Sequence, residues 1–296
     1  PLAHSRTSSF PRLIRNLKLL AASTLCCLTL ASAHGGPNSQ REAAWELARQ
    51  PDWEAARPLF EALAASGQSQ HLRADSYGLA LCVLYQQPRT PGTLARAQSI
   101  LSELVDEIPD DSVGRASQYL SIRIGHVFAQ TADLETSRKS YLSLFTAYPN
   151  SFYGQQAYVR YAILTVSAKQ PVSELRADLA QFEVGIPQLS DPAARRDAAL
   201  ALAEACLVIV RDKRAALRWF KLADEAGLSK RNGNINPYLS AAGTAWDLED
   251  WESARHFYQR FLDLKARDRR ETIVQARLAA IEKLLAGQAT DIAEIP

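Results

Sequence analysis

Six times along this chain, at intervals of 38 to 41 residues, a small residue is followed four positions later by a large aromatic or aliphatic one. The pairs are Ala56 and Phe60, Ala97 and Leu101, Ser137 and Tyr141, Asp178 and Phe182, Ala216 and Phe220, and Ala254 and Tyr258. The fourth keeps the spacing but carries a charge where a small side chain belongs. Recurrence at this period marks one supersecondary unit copied in tandem. A unit of that size cannot bury its apolar face alone, so copies must stack into an elongated array. Such an array offers a long surface to partners, which makes binding the first expectation for function.

Each period divides into two helical stretches joined by a polar break. Ala and Leu dominate the 47% hydrophobic content and β-branched residues are sparse, which favours helix. The clearest period is 118–150, where Ile122, Ile124, Val127 and Phe128 form a stripe at helical spacing. Thr131-Ala132-Asp133 makes its turn, with Asp133 expected as an N-cap, and Tyr148-Pro149-Asn150 ends its second helix. Residues 227–237 are rich in turn formers, and one further helix is expected over 271–285 as a terminal cap.

The first residues differ in kind. Arg6, Arg12, Arg15 and Lys18 precede an apolar run from Leu19 to Leu30 and then Ala31-Ser32-Ala33, the three parts of a secretory signal peptide. The run falls short of the roughly 20 residues that span a bilayer. The expected organisation is a signal peptide over 1–33 with cleavage after Ala33, a helical-repeat domain over 34–286 and a flexible tail over 287–296. Localisation is then periplasmic or secreted. Removing those four basic residues from 34 leaves 30 against 32 acidic, a net charge near −2. With no basic stripe left, nucleic acid is not an expected partner. Cys82 and Cys206 lie in apolar runs three repeats apart and are expected as buried, unpaired small hydrophobes.

The units resemble tetratricopeptide repeats. Ile124, Gly125, Phe128, Ser137, Tyr141 and Pro149 match that motif in one unit; Tyr238, Ala241, Ala242, Ala245, Ala254 and Tyr258 match in another; Ala44, Leu47, Ala56 and Phe60 match in the first. Armadillo and HEAT repeats share the period but lack the small-then-aromatic pairing. The stretch from Tyr141 to Ser151, followed by Ala157-Tyr158, is similar to envelope proteins of Gram-negative bacteria, the outer-membrane-assembly lipoprotein family and the Tol-Pal-associated cell-division coordinator. This chain departs from them in lacking a lipobox and a heptad segment ahead of the repeats. The resemblance implies an all-α, right-handed superhelical solenoid of about six helix pairs plus a capping helix. It also implies a concave face, lined by the first helix of each pair, that binds a protein or peptide. The groove positions carried across are Arg41, Trp45, Arg49, Tyr119, Ile122, Arg123, His126, Val159, Arg160 and Trp246. Arg and aromatic residues are those that concentrate interface energy.

Chemistry-bearing motifs are missing from the sequence. There is no HExxH, CxxC, GxGxxG, GxxxxGK[ST] or GxSxG, so no metal, cofactor or catalytic residue is expected. Glu103, Asp106, Glu107, Asp110 and Asp111 are expected as solvated caps at helix ends. The function expected is a non-enzymatic scaffold for protein–protein interaction in cell-envelope assembly or maintenance. The alternative is a non-catalytic docking module of a cell-wall (peptidoglycan) enzyme system.

Overall fold

The computed structural model describes residues 36–67, 71–128, 133–168, 170–228, 235–264 and 268–288, which carry thirteen α-helices and no strand. The signal peptide expected over 1–33, residues 289–296 of the expected tail, Thr131, Ala132 and residues 229–234 lie outside the described residues. The chain divides into two compact units, with the division between Ser117 and Gln118. In the first lie α1 (Pro37–Arg49), α2 (Trp53–Ala65), α3 (Leu72–Tyr85) and α4 (Pro91–Glu107). The boundary falls inside α5 (Ser112–Arg123). The second unit continues with α6 (Leu134–Ala147), α7 (Phe152–Ser167), α8 (Val172–Gly185), α9 (Pro192–Ala205), α10 (Lys213–Glu225), α11 (Asn236–Asp247), α12 (Trp251–Leu264) and α13 (Glu271–Leu285).

The even-numbered helices from α2 to α12 carry the six small-then-large pairs. All six large members are buried, at 2% exposure or less, and five of the small ones are buried as well, Ser137 the least at 7%. The small residue removes the side chain at the crossing, so the partner helix comes close enough to cover the ring. Asp178 is the exception. It stays half-exposed and accepts a 3.0 Å hydrogen bond from Gln170 Nε2. A carboxylate cannot enter that crossing without losing its hydration, and α8 accordingly touches α7 only sparsely, while α7 packs broadly on α9.

Local chemistry fixes where the second helices start. Asp52, Asp133, Asp212 and Asp250 each accept from a backbone N–H three residues on, at 2.9–3.1 Å. These N-caps satisfy donors the helix itself cannot. Thr90 and Thr93 cap α4 reciprocally. Two first helices, α5 and α9, run on into single π turns, Ile124–Phe128 and Cys206–Val210.

The acidic residues at the end of α4 do more than cap. Arg73 is clamped by Asp111 (3.0 Å), Glu107 (2.6 Å) and the carbonyls of Leu104 and Ile108. One repeat earlier, Arg41 binds Asp75 through Nε at 2.8 Å and Nη2 at 2.7 Å. The Arg41 clamp ties the first hairpin to the second, and the Arg73 clamp ties α3 to the end of α4 and the turn that follows it.

Cys82 and Cys206 are buried and unpaired, as the sequence implies. Burial pushes both thiols up to about 11, which keeps them protonated and unreactive. Alkylation followed residue by residue by mass spectrometry should leave both unmodified in the native protein and modify both in denaturant. Rapid native labelling of either would show that its hairpin opens.

Candidate functional site

Five of the ten groove positions converge in the second unit. Tyr119, Ile122 and Arg123 lie on α5, His126 on the π turn that extends it, and Arg160 on α7. Their floor is aromatic: the Tyr119 ring lies 5.9 Å from Tyr141 and 5.8 Å from Tyr153. Ile122 packs, half-buried, on the same cluster. The Arg160 Nε donates to the Tyr119 hydroxyl at 3.4 Å. The Nε of Arg123 is buried with no acceptor, and so is the Ser121 hydroxyl.

The π turn widens the last turn of α5 and carries His126 to the second helix, where Nδ1 sits 3.4 Å from the Tyr141 hydroxyl and the rings meet edge to face. Burial, with Arg160 and Arg123 adding repulsion, lowers the His126 pKa below its ordinary 6.5. Burial also drives the Tyr141 phenol far up, so it remains a neutral hydroxyl. For His126 the unfolded chain takes up its proton first as pH falls below 6.5, while the native state resists. Stability is therefore lost from about pH 6.5 down to the depressed native value, and no further below it. His126→Gln should flatten this part of the stability–pH curve; identical curves for variant and parent would contradict the assignment.

The other five positions are engaged elsewhere. Arg41 is held by Asp75, with only 12% of its side chain exposed. Trp45 stands edge-on to Phe60 at 4.9 Å. Arg49 is exposed and pairs with Glu46 on its own helix at 2.6 Å. Val159 lies in the core, so it holds α7 in place and offers nothing to a partner. Trp246 meets Trp251 edge to face at 5.3 Å, and the Arg277 guanidinium of α13 lies 5.2 Å from its ring centre.

A histidine–carboxylate couple, which the sequence reading missed, also occurs. His256 Nε2 lies 2.7 Å from Asp224, whose other oxygen accepts from the Tyr238 hydroxyl at 3.0 Å. These residues come from α12, α10 and α11, and the couple ties the three together. Beside it runs a cleft of about 610 Å³ lined by Glu252, Arg255, His256, Gln259, Arg260 and Glu282. None of the ten groove positions lines that cleft. Among the described residues, no group of three His, Cys, Asp or Glu is placed to hold a metal ion. The carboxylates Glu46, Asp111 and Glu135 are lowered by side-chain hydrogen bonds (from Gln50 and Arg49, from Arg73, and from Arg138), and Asp133 by its capping bonds to Thr136. These are shifts of pairing and capping.

Fold and site define an all-α helical-repeat protein with an arginine–tyrosine face on the first helices of its second unit. Among solved structures the chain is similar to a tetratricopeptide repeat protein from Parabacteroides merdae ATCC 43184. The two share 12% identity over 88% of this chain and 95% of that one, with a TM-score of 0.46. No family model and no curated protein matches. No helix among the described residues is long and apolar enough to cross a membrane.

Proposed function

We propose that this chain is an exported scaffold that holds a protein or peptide on the face formed by α5, its π turn and α7, in the service of cell-envelope assembly or maintenance. The observation that carries the reading is the convergence of Arg123, Arg160, His126 and Tyr119 on one face, with a guanidinium N–H there lacking an acceptor. Arginine and tyrosine bring large contact area and directional donors, the usual anchors of an interface. The basic segment, apolar run and Ala31-Ser32-Ala33 support export, and the Tyr141–Ser151 stretch supports an envelope setting.

The test is site-directed photocrosslinking in the host. A photoreactive side chain at Ile122 should capture a discrete partner, one at the exposed Ser143 on α6 should not, and Arg123→Glu with Arg160→Glu should abolish the capture. Equal capture from both positions, or capture unaffected by the charge reversal, would remove this face from the function. Export is tested on the same preparation. The recovered protein should begin at His34 and fractionate outside the cytoplasm; a retained 1–33 segment on cytoplasmic protein contradicts it.

A further inference from the structure

Arginines on the first helices of this protein have two different fates. In the first unit the two that lie between hairpins are saturated: Arg41 by Asp75, and Arg73 by Asp111, Glu107 and two carbonyls. In the second unit, Arg123 and Arg160 meet no carboxylate within ion-pair distance among the described residues. Arg123 Nε is buried without an acceptor, and Arg160 Nε finds only a long bond to the Tyr119 hydroxyl. Asp197, the carboxylate whose field reaches Arg160, is already paired with Arg196 at 2.9 Å. Two guanidinium groups thus share one face without a counter-charge, and a buried donor left unmet in a native fold requires an explanation.

We infer that Arg123 and Arg160 together receive a carboxylate side chain from an acidic segment of a protein partner, laid over the Tyr119 and Tyr141 rings. This rests on the reading that the α5–α7 face binds a protein, and it names that protein's chemistry. A guanidinium presents parallel donors that match the two oxygens of a carboxylate. The phenol rings beside them supply apolar contact to residues flanking the acid. The same arrangement excludes a basic segment, which would meet two fixed positive charges.

The test is fluorescence anisotropy on the whole chain. The probe is a fluorescein-labelled peptide of alternating Glu and Leu, compared with one bearing Gln in place of Glu, with inorganic phosphate as competitor. The Glu peptide should bind at least about tenfold more tightly than the Gln peptide. Arg123→Gln or Arg160→Gln should erase that preference, and Arg218→Gln, at an exposed arginine of α10 paired with Glu183, should leave it. Equal affinity of the two peptides, a preference that survives in both variants, or displacement by phosphate at equal concentration would overturn the inference. The Glu–Gln comparison is made on the unaltered protein and does not depend on how well the variants fold. Capture at Ile122 of a partner whose contact segment lacks Asp and Glu also overturns it while leaving the scaffold reading intact; absence of capture removes the scaffold reading itself.

Discussion

Gly154→Ala is expected to destabilise the protein by about 3 kcal/mol, the upper part of the range for overpacking, and to lower its melting midpoint by roughly 6 to 12 °C. A Cβ at Gly154 would stand 1.9 Å from the carbonyl oxygen of Tyr148, where real contacts stay beyond 3.0 Å. That oxygen is backbone at the end of α6 and cannot swing aside as a side chain would. It also accepts from the Ser151 hydroxyl, whose oxygen in turn accepts from the Gly154 N–H. Relief requires the turn between α6 and α7 to open. The same arrangement occurs one repeat earlier, where a Cβ at Gly114 would lie 2.1 Å from the Ile108 carbonyl. Gly243, in mid-helix on α11 with nothing within 4 Å of its Cβ position, is the control. Gly243→Ala should stabilise by about 0.5–1 kcal/mol, because helix entropy is then the only change. A melt indifferent to Gly154→Ala would show that the hairpins are not seated this closely.

The second large effect concerns the first unit. Asp75→Ala should cost about 3–5 kcal/mol, because it leaves the largely buried Arg41 charge without a counter-charge, its remaining partner being the neutral Asn38 amide. Asp75 is 1% exposed and gives both oxygens to one guanidinium, so no water stands ready to replace it. Arg49→Ala removes an exposed pair within one helix and should change stability by no more than about 0.5 kcal/mol. Adding Arg41→Met to Asp75→Ala should recover much of the loss, since an apolar pair avoids the buried charge altogether. Urea unfolding of the four proteins checks the ordering; an Asp75→Ala penalty as small as that of Arg49→Ala would contradict it.

What could be read in the sequence was what recurs. The six small-then-large pairs located the crossing points, and five are buried as the spacing implies; Asp178 marked a hairpin that packs loosely. The cap at Asp133 and the terminal helix Glu271–Leu285 were legible because N-caps and helical periodicity are local signals. Partners joined across hairpins were not. Arg41 and Asp75 are 34 residues apart, and nothing in either neighbourhood says that their helices stand in register. Arg41 therefore looked the same as Arg123 in the sequence, although one is saturated and the other is not. The role of Asp111 was hidden for the same reason. Gly114 and Gly154 did carry a signal: each follows a Pro-containing break and lies three residues after the residue that accepts its N–H, one period apart. The π turn that delivers His126 to Tyr141 has no such signature beyond Gly125.

The proposed scaffold role depends on one face of the second unit. Hydrogen–deuterium exchange on the chain, free and bound to the partner captured at Ile122, tests it most directly. Slowed exchange confined to residues 119–128 and 157–165 is the predicted result. Protection falling instead on α6, α10 or α12, with those two segments unchanged, would contradict it.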